Sequence, residues 1–386
     1  MAGMDDNTVI LENTLKYLRF QNIWPKSNDE LYSRKMFYIK FILVTLSTSI
    51  LLWGSLMHMI TAIYGKTGAQ IDTDMSMIVS IMGTYYFNFS YLVNVEKIAE
   101  VLNDLSNFEI FGKPPGIVDF NRKLNRLAKW HQIYICGGIV SLCSAQILEI
   151  KACKANNVEK GIHDVCGLAT NIWFPFDVDF FPLKQIIYLL QLYSAYFSFA
   201  TSSTISFSIM ESTEHVIYRI MHVKDLFIEA LNEESQTLRR SLLKRCIGYH
   251  NFVIRAAESL SESYGTCIFV HVLLTGAILA CNGCQLLQGV HLNSIALFTG
   301  WFMSLLMVGF VGQRLTDECF ILRDAIYGTK WYDLDVETQK DLLFVLLRCK
   351  KPLYLKAGAF GFMSLVIVLS ILKTAYTVVS VMKGTS

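Results

Sequence analysis

Residues 348–383 read RCKKPLYLKAGAFGFMSLVIVLSILKTAYTVVSVMK. The stretch opens on a basic knot, Arg348, Lys350 and Lys351. Pro352 then interrupts any local helix, and an apolar run follows almost to the last residue. From 357 to 382 that run is long enough for a bilayer, which takes about 20 apolar residues. Gly358 and Gly361 are expected to admit close helix approach. Polarity returns in the second half, at Lys373, Thr374, Tyr376, Thr377 and Ser380. Lys373 lies ten residues before Lys383, about 15 Å in from that end at about 1.5 Å per residue. An ammonium at that depth is costly in lipid, so it is expected to face water, an acidic partner or the interface. A closing helix with a polar seam is what a pore needs. The plainer alternative is one packed span of a bundle whose Lys373 snorkels outward.

The rest of the chain extends this reading. Of 386 residues, 53% are hydrophobic and 17% charged, against about 25% charged in soluble domains. The mean hydropathy is +0.39, and the apolar residues come in blocks, the mark of a multispanning membrane protein. A net charge of +2 points to no nucleic-acid partner. Asp5, Asp6 and Glu12 precede any apolar run, so no cleavable signal is read and the first span is expected to direct insertion. Residues 1–35 form a polar, helical lead-in whose apolar face (Leu11, Leu15, Leu18, Ile23, Trp24) could lie along the membrane surface.

Seven spans follow, at about 36–64, 75–95, 130–150, 185–210, 263–287, 295–311 and the closing stretch, 352–383 with its basic approach. The first six make a bundle over 36–311, joined by charged, helix-patterned connectors at 96–129, 211–262 and 312–351. Residues 151–184 are read as a loop. The lead-in and these three connectors, with Lys40 and Lys356 just past their ends, hold 27 of the 34 Lys and Arg, and the alternate loops hold five. The positive-inside rule then puts the N-terminus in the cytoplasm and the C-terminus outside, opposite to a G-protein-coupled receptor. The fold class is an all-α membrane protein with seven transmembrane helices.

No P-loop, H-E-x-x-H or G-x-S-x-G is present, so no enzyme, cofactor or metal is expected. His163, Asp164 and Cys166 cluster in a loop, a trio more typical of a solvated surface than of a zinc site. Cys281 and Cys284 form a C-x-x-C inside a span with no second ligand pair, and buried thiols there behave as small hydrophobes. Cys153 and Cys166 share one loop and could pair if it is extracellular. Asn88-Phe89-Ser90 fits a glycosylation pattern but lies within a span, so no sugar is expected.

Helical spacing groups candidate ligand-binding faces in the outer halves of spans two to five. These are Ser80, Gly83, Thr84 and Phe87; then Leu142, Ala145, Gln146 and Glu149; then Tyr188, Gln191, Leu192 and Ala195; then Gly276, Leu279, Ala280 and Gly283. Small residues beside aromatics suit a mostly apolar ligand with one polar handle. They equally suit plain helix packing.

Several motifs carry a family resemblance. WFPFD at 173–177, CIGYHNFVI from Cys246, AIYGTKWYDL at 325–334, KKPLYLKAGAFGFMSL at 350–365 and LKTAYT at 372–377 resemble stretches of the insect odorant receptors. The resemblance covers nearly the whole chain and is most specific in the last third. It implies an odorant-gated, non-selective cation channel of four subunits in the plasma membrane of olfactory sensory neurons. The last helices would surround the pore, and the cytoplasmic helices before them would form an anchor between subunits. By alignment on the closing motif, Tyr376 maps to the family's pore-helix tyrosine and Val379 to its hydrophobic gate, with Ser380 beside it. Lys383 stands where the family usually has an uncharged residue. With Lys373 it would give a homotetramer eight pore ammonium groups, which repel cations. The short connector 211–262 differs from the co-receptor's long one. The resemblance therefore implies a tuning subunit that pairs with the co-receptor in a heterotetramer and binds a small volatile. The alternatives are a gustatory receptor of the same superfamily, a seven-span receptor coupled to a cytoplasmic transducer, and a transporter. The second would carry an outside N-terminus with sequons. The third would show inverted repeats.

Overall fold

The computed structural model describes residues 10–24, 31–65, 71–161, 164–288 and 292–384. Eleven helices are found among them. They are α1 (Glu12–Phe20), α2 (Leu31–Gly65), α3 (Ile71–Ser106), α4 (Ile117–Leu148), α5 (Ile150–Lys160), α6 (Leu183–Ala195), α7 (Thr201–Asn232), α8 (Gln236–Gln288), α9 (Leu292–Tyr327), α10 (Val336–Cys349) and α11 (Leu365–Gly384). A π-helical turn, Tyr196–Ala200, joins α6 to α7 without a break.

Length and apolar composition mark four helical stretches as able to cross a membrane: Tyr38–Gly65, Ile117–Glu159, Gln236–Leu287 and Ser294–Tyr327. A shorter apolar helix covers Leu365–Val381. α3 and the α6–α7 run are long enough, but Tyr, Asn, Ser and Thr dilute their apolar character.

The core is built on two helix pairs, α3 with α8 and α7 with α9. α8 has 53 residues, about 80 Å at about 1.5 Å per residue, so one rigid rod runs from the apolar layer far into the charged layer. In that charged layer, Arg219 of α7 is buried and donates to the carbonyls of Leu105 (2.6 Å) and Asn107 (3.0 Å) at the end of α3. Its guanidinium lies 4.7 Å from the centre of the Phe108 ring. Carbonyls at a helix C-terminus carry partial negative charge, so they offset a buried cation. Arg348 and Lys356 pair with Glu258 (2.9 Å) and Glu262 (3.1 Å) of α8, tying the approach to the last helix onto that rod.

Three local expectations are corrected. The closing helix begins at Leu365, not at 352 or 357. Residues 355–363 form a tight hairpin instead, with Met363 N–H donating to the Leu355 carbonyl (2.8 Å) and Ala357 N–H to that of Gly361 (2.8 Å). Gly358 and Gly361 have positive φ, 57° and 85°, so they turn the chain rather than line a helix face. The 151–184 loop contains α5, whose Cys153 is bridged to Cys166. The lead-in does not spread on a surface: Leu11, Leu15, Leu18, Ile23 and Trp24 are all buried, and α1 packs on α4 and α7. Its apolar stripe matches an apolar wall in the same chain, which removes more area from water than a half-immersed helix would.

Candidate ligand cavity and closing helix

A cavity of about 120 Å³ lies among five helices and the π turn. Thr84 and Phe87 come from α3, and Tyr134, Ile135, Gly138, Ile139 and Leu142 from α4. The π turn gives Phe199, and α7 gives Ser202, Ser203 and Ser206. His271 comes from α8, and Ala296, Leu297, Thr299, Gly300, Trp301 and Ser304 from α9. Among the lining residues, Tyr134 and Gly138 of α4 and Thr299 of α9 are exposed. A Cβ added at Gly138 or Gly300 would meet nothing within 4 Å.

The polar groups of the wall are tied inward. Thr84 donates to the Ile81 carbonyl (2.9 Å), Ser202 to Asn88 Oδ1 (2.8 Å), and Ser304 to Ser206 Oγ (2.7 Å). Ser206 in turn faces the Ser202 carbonyl (3.2 Å), and Thr299 donates to the Ile295 carbonyl (2.7 Å). Backbone acceptors one helical turn back take the protons of Thr84, Ser206 and Thr299, and side chains of neighbouring helices take those of Ser202 and Ser304, because a hydroxyl in an apolar layer needs a partner. His271 is 2% exposed. Its ring lies between those of Phe87 (5.4 Å) and Trp301 (5.7 Å), and its Nε2 has no hydrogen-bond partner.

Of the residues expected to bind ligand, Thr84, Phe87 and Leu142 line this cavity. Leu142, Gln191 and Ala195 line a neighbouring void of about 20 Å³. Gln191 accepts from Ala169 N–H (2.7 Å) and donates to the Thr170 carbonyl (3.1 Å), so it pins the loop before α6. Ser80 and Ala145 are buried beside the cavity without lining it, and a Cβ at Gly83 would lie 3.4 Å from Trp301. Tyr188 reaches the Cys143 carbonyl (3.3 Å), and Leu192 packs against a cluster with Ile135 and Ile139. Glu149 follows the end of α4, and the side chain of Gln146 lies outside the described residues.

The α8 set serves another seam. Cβ atoms at Gly276 and Gly283 would meet Ile371 (3.6 Å) and Val379 (3.0 Å) of α11, and Leu279 and Ala280 cluster with Trp301 and Ala375. The small residues of that face therefore seat the closing helix. Sequence spacing missed His271, Trp301 and the serines of α7 and α9. The i, i+4 pair Ser202–Ser206 was the available signal, because two hydroxyls on one turn of an apolar helix mark a face that meets polar groups.

On α11, Lys373, Tyr376 and Ser380 stand exposed along one face. Val379 is half-buried on the side towards α8. The side chain of Lys383 and the whole of His163 lie outside the described residues. At the other end of the loop system, WFPFD borders a cavity of about 810 Å³. There His58 bridges Asp74 (2.7 Å) and Asp164 (3.0 Å), joining α2, α3 and the loop.

Two titrating groups mark the start of the charged layer. Glu211 is buried against Thr14 of α1, and burial pushes its carboxyl up to about 7, opposed by the Thr14 hydrogen bond. Burial, and then the Arg219 charge, push His215 down to about 3, so it is neutral.

A family model described as 7tm Odorant receptor matches residues 67–376. The chain belongs to the odorant receptor family. The receptor is 24% identical to putative odorant receptor 85d of Drosophila melanogaster over 138 residues, 35% of this chain and 34% of that one. It is 25% identical to the odorant receptor coreceptor of Ooceraea biroi over 152 residues, 38% of this chain and 32% of that one. The stretches aligned thus span about a third of the length of these relatives. The olfactory receptor OR5 of Machilis hrabei, solved in complex with eugenol, superimposes with a TM-score of 0.80 at 13% identity, covering 99% of this chain and 100% of that one. That likeness carries the all-helical fold. Family membership places the receptor among membrane receptors rather than enzymes.

Proposed function

We propose that the receptor is the ligand-tuning subunit of an odorant-gated, non-selective cation channel, and that the co-receptor supplies its partner subunits. α2, α3, α4, the α6–α7 run, α8, α9 and α11 are the seven crossings, with the N-terminus cytoplasmic. The Cys153–Cys166 bridge supports this orientation, because a disulfide is stable on the outer side and the Lys- and Arg-rich connectors then face inward. A small volatile binds in the cavity among α3, α4, α7, α8 and α9. The fold that holds eugenol in the OR5 receptor supports a ligand site of this kind.

One observation carries the mechanism. Trp301 of the cavity wall packs in the same cluster as Leu279 and Ala280 of α8 and Ala375 of α11. A ligand that favours one packing of Trp301 therefore favours one seating of the closing helix, and the equilibrium shifts by its differential affinity. Tyr376 and Ser380 line the pore, and Val379 swings between α8 and the axis. On α10, Leu343, Phe344 and Leu347 are exposed, and Phe344 is 73% open. An apolar row on a charged helix suits a subunit contact.

The test is whole-cell current on a panel of plant volatiles, with the receptor alone, with the co-receptor, and with the co-receptor plus Val379→Ala. Odorant-evoked cation current in the paired cells alone, with raised leak in the variant, is expected. Current from the receptor alone would overturn the tuning-subunit reading. No complex between the two at the cell surface would overturn the partnership.

A further inference from the structure

The exposed part of the cavity wall lies on two helices. Tyr134 and Gly138 of α4 and Thr299 of α9 are exposed, and every other lining residue is buried or half-buried. α4 and α9 pack against each other, yet a Cβ at Gly138 or Gly300 would meet nothing within 4 Å, so the wall is unfilled at both glycines. This stretch of wall lies at hydrocarbon depth. Gly138 stands nine residues after Lys129 and eleven before Glu149, with no Asp, Glu, Lys or Arg between. That is about 14 Å and about 16 Å along the helix at about 1.5 Å per residue, near the middle of a hydrocarbon core of about 30 Å. Thr299 stands fifteen residues before Arg314, the first charge on α9. The surroundings are apolar: Trp130, Ile133 and Val140 of α4 and Ile295 and Met303 of α9 are exposed. The Thr299 hydroxyl donates to the Ile295 carbonyl (2.7 Å), so it presents no free proton there. In a layer without water such a face meets acyl chains. The large outer cavity at WFPFD offers no comparable opening. Its wall residues Ile172 and Phe174 cluster with Leu51, Ile81 and Phe199, and Gln191 holds the adjoining backbone of Ala169 and Thr170.

We infer that the gap between α4 and α9 is the entry portal of this cavity, with Tyr134 and Gly138 at its rim, and that the receptor takes its ligand out of the bilayer rather than out of water. This deepens the reading of the cavity as the odorant site and rests on it. The ligand class follows from the source: small neutral molecules that partition into lipid. An ionised amine or carboxylate of the same size is excluded by the hydrocarbon it would have to cross. Each CH₂ added to a ligand raises its bilayer concentration about fourfold at a fixed aqueous concentration. Entry from the bilayer speeds up in step. Entry from water would stay nearly level along such a series, because the rate of encounter in water changes little with one carbon.

The experiment measures entry apart from gating. The full receptor, in complex with the co-receptor, is placed in lipid nanodiscs, and fluorine NMR exchange reads the rates at which a probe enters and leaves. The probes are fluorobenzene, 4-fluorotoluene and 1-ethyl-4-fluorobenzene. A single ring suits a cavity of about 120 Å³, since an apolar cavity of about 150 Å³ holds benzene. In the wild-type receptor the entry rate at a fixed aqueous concentration should rise about fourfold per CH₂. Gly138→Leu, which fills the gap, should slow entry and exit together by about tenfold or more, because a change confined to the path moves the barrier and not the bound state. Tyr134→Ala should quicken both. Gly137→Leu is the control, since Gly137 has the same open space but does not line the cavity, and it should change neither rate. A level entry rate along the series, exchange indifferent to both portal variants, or exchange quickened by Ile172→Ala and not by Tyr134→Ala would overturn the inference and leave the cavity as a binding site. No bound probe in the wild-type receptor would overturn both. Exchange that follows the portal variants, beside volatile-evoked currents that ignore them, would support the portal and overturn the cavity as the odorant site.

Discussion

Val379 of α11 rests against Gly283 of α8: a Cβ on that glycine would stand 3.0 Å from a Val379 methyl. Tyr376 and Ser380, three residues before and one after, face out of the bundle. An added methyl at Gly283 would therefore push Val379 off α8 and round towards the face that carries Tyr376. On a pore-lining helix that movement narrows the opening. Gly283→Ala should keep the receptor at the surface and lower odorant-evoked current severalfold, whereas Val379→Ala should raise current in the absence of odorant. Surface biotinylation with whole-cell recording separates the two effects. Unchanged gating in Gly283→Ala would mean that this contact is packing alone.

Lys373 shares the exposed face of α11 with Tyr376 and Ser380. Four such ammonium groups around one axis would raise the barrier to cations, because like charge at a constriction repels in proportion to how little water screens it. The receptor expressed alone should pass no measurable cation current. In heteromers, Lys373→Gln should raise single-channel conductance roughly twofold or more, at low salt above all, where screening is weakest. A conductance indifferent to that substitution would place Lys373 away from the ion path.

Glu211 predicts a pH dependence of N-terminal docking. Its folded-state carboxyl sits at about 7, above the usual value, because burial beside Thr14 disfavours the charged form. A raised acid costs nothing while it is protonated. Its cost begins as pH passes the ordinary carboxylate value and is complete once pH exceeds about 7. From a value of 4.5 to about 7, that cost reaches about 3 kcal/mol at most. The melting temperature of the wild-type receptor should therefore fall between about pH 5 and about pH 8, and Glu211→Gln should flatten the decline. Parallel melting curves for the two proteins would refute the assignment.

The long apolar blocks of α2, α4, α8 and α9 were legible because a bilayer demands a length and a composition that few other structures share. Motif likeness located the closing helix, but its start was misread. Ala357–Ser364 is as apolar as a helix end, and only the pairing of residues 355 and 363 shows that it folds back. The lead-in was misplaced for a related reason. Sequence shows that Leu15 and Leu18 need cover, yet lipid and protein cover look the same in a hydrophobic pattern. The cavity was half found. Thr84, Phe87 and Leu142 were named, but His271 and Trp301 were not, since a lone histidine in an apolar helix gives no hint of where its ring points. The glycines of α8 carried a true signal of close approach and a wrong guess at what approaches.

Gly312, on α9, makes the tightest approach to main chain among the described glycines. A Cβ there would fall 2.4 Å from the carbonyl oxygen of Met363 and 3.1 Å from its carbonyl carbon. These are backbone atoms of the hairpin that launches α11, and that hairpin is held on its other side by Leu355 and by the bond from Lys356 N–H to Ser261 Oγ (2.9 Å). No side-chain rotation relieves the overlap, so α9 and the hairpin must part. Gly312→Ala should destabilise the receptor by about 2 kcal/mol or more, within the range for overpacked cores. Since α11 leaves the hairpin at Leu365, the same change should alter gating in whatever protein reaches the surface. Gly137→Ala is the control, because a Cβ at Gly137 meets nothing within 4 Å. It should be neutral or slightly stabilising, as alanine is the better helix former. Melting temperatures of the two variants by size-exclusion fluorescence decide the matter. Equal stability would show that α9 does not seat the hairpin at Gly312, and that the closing helix takes its position from α8 alone.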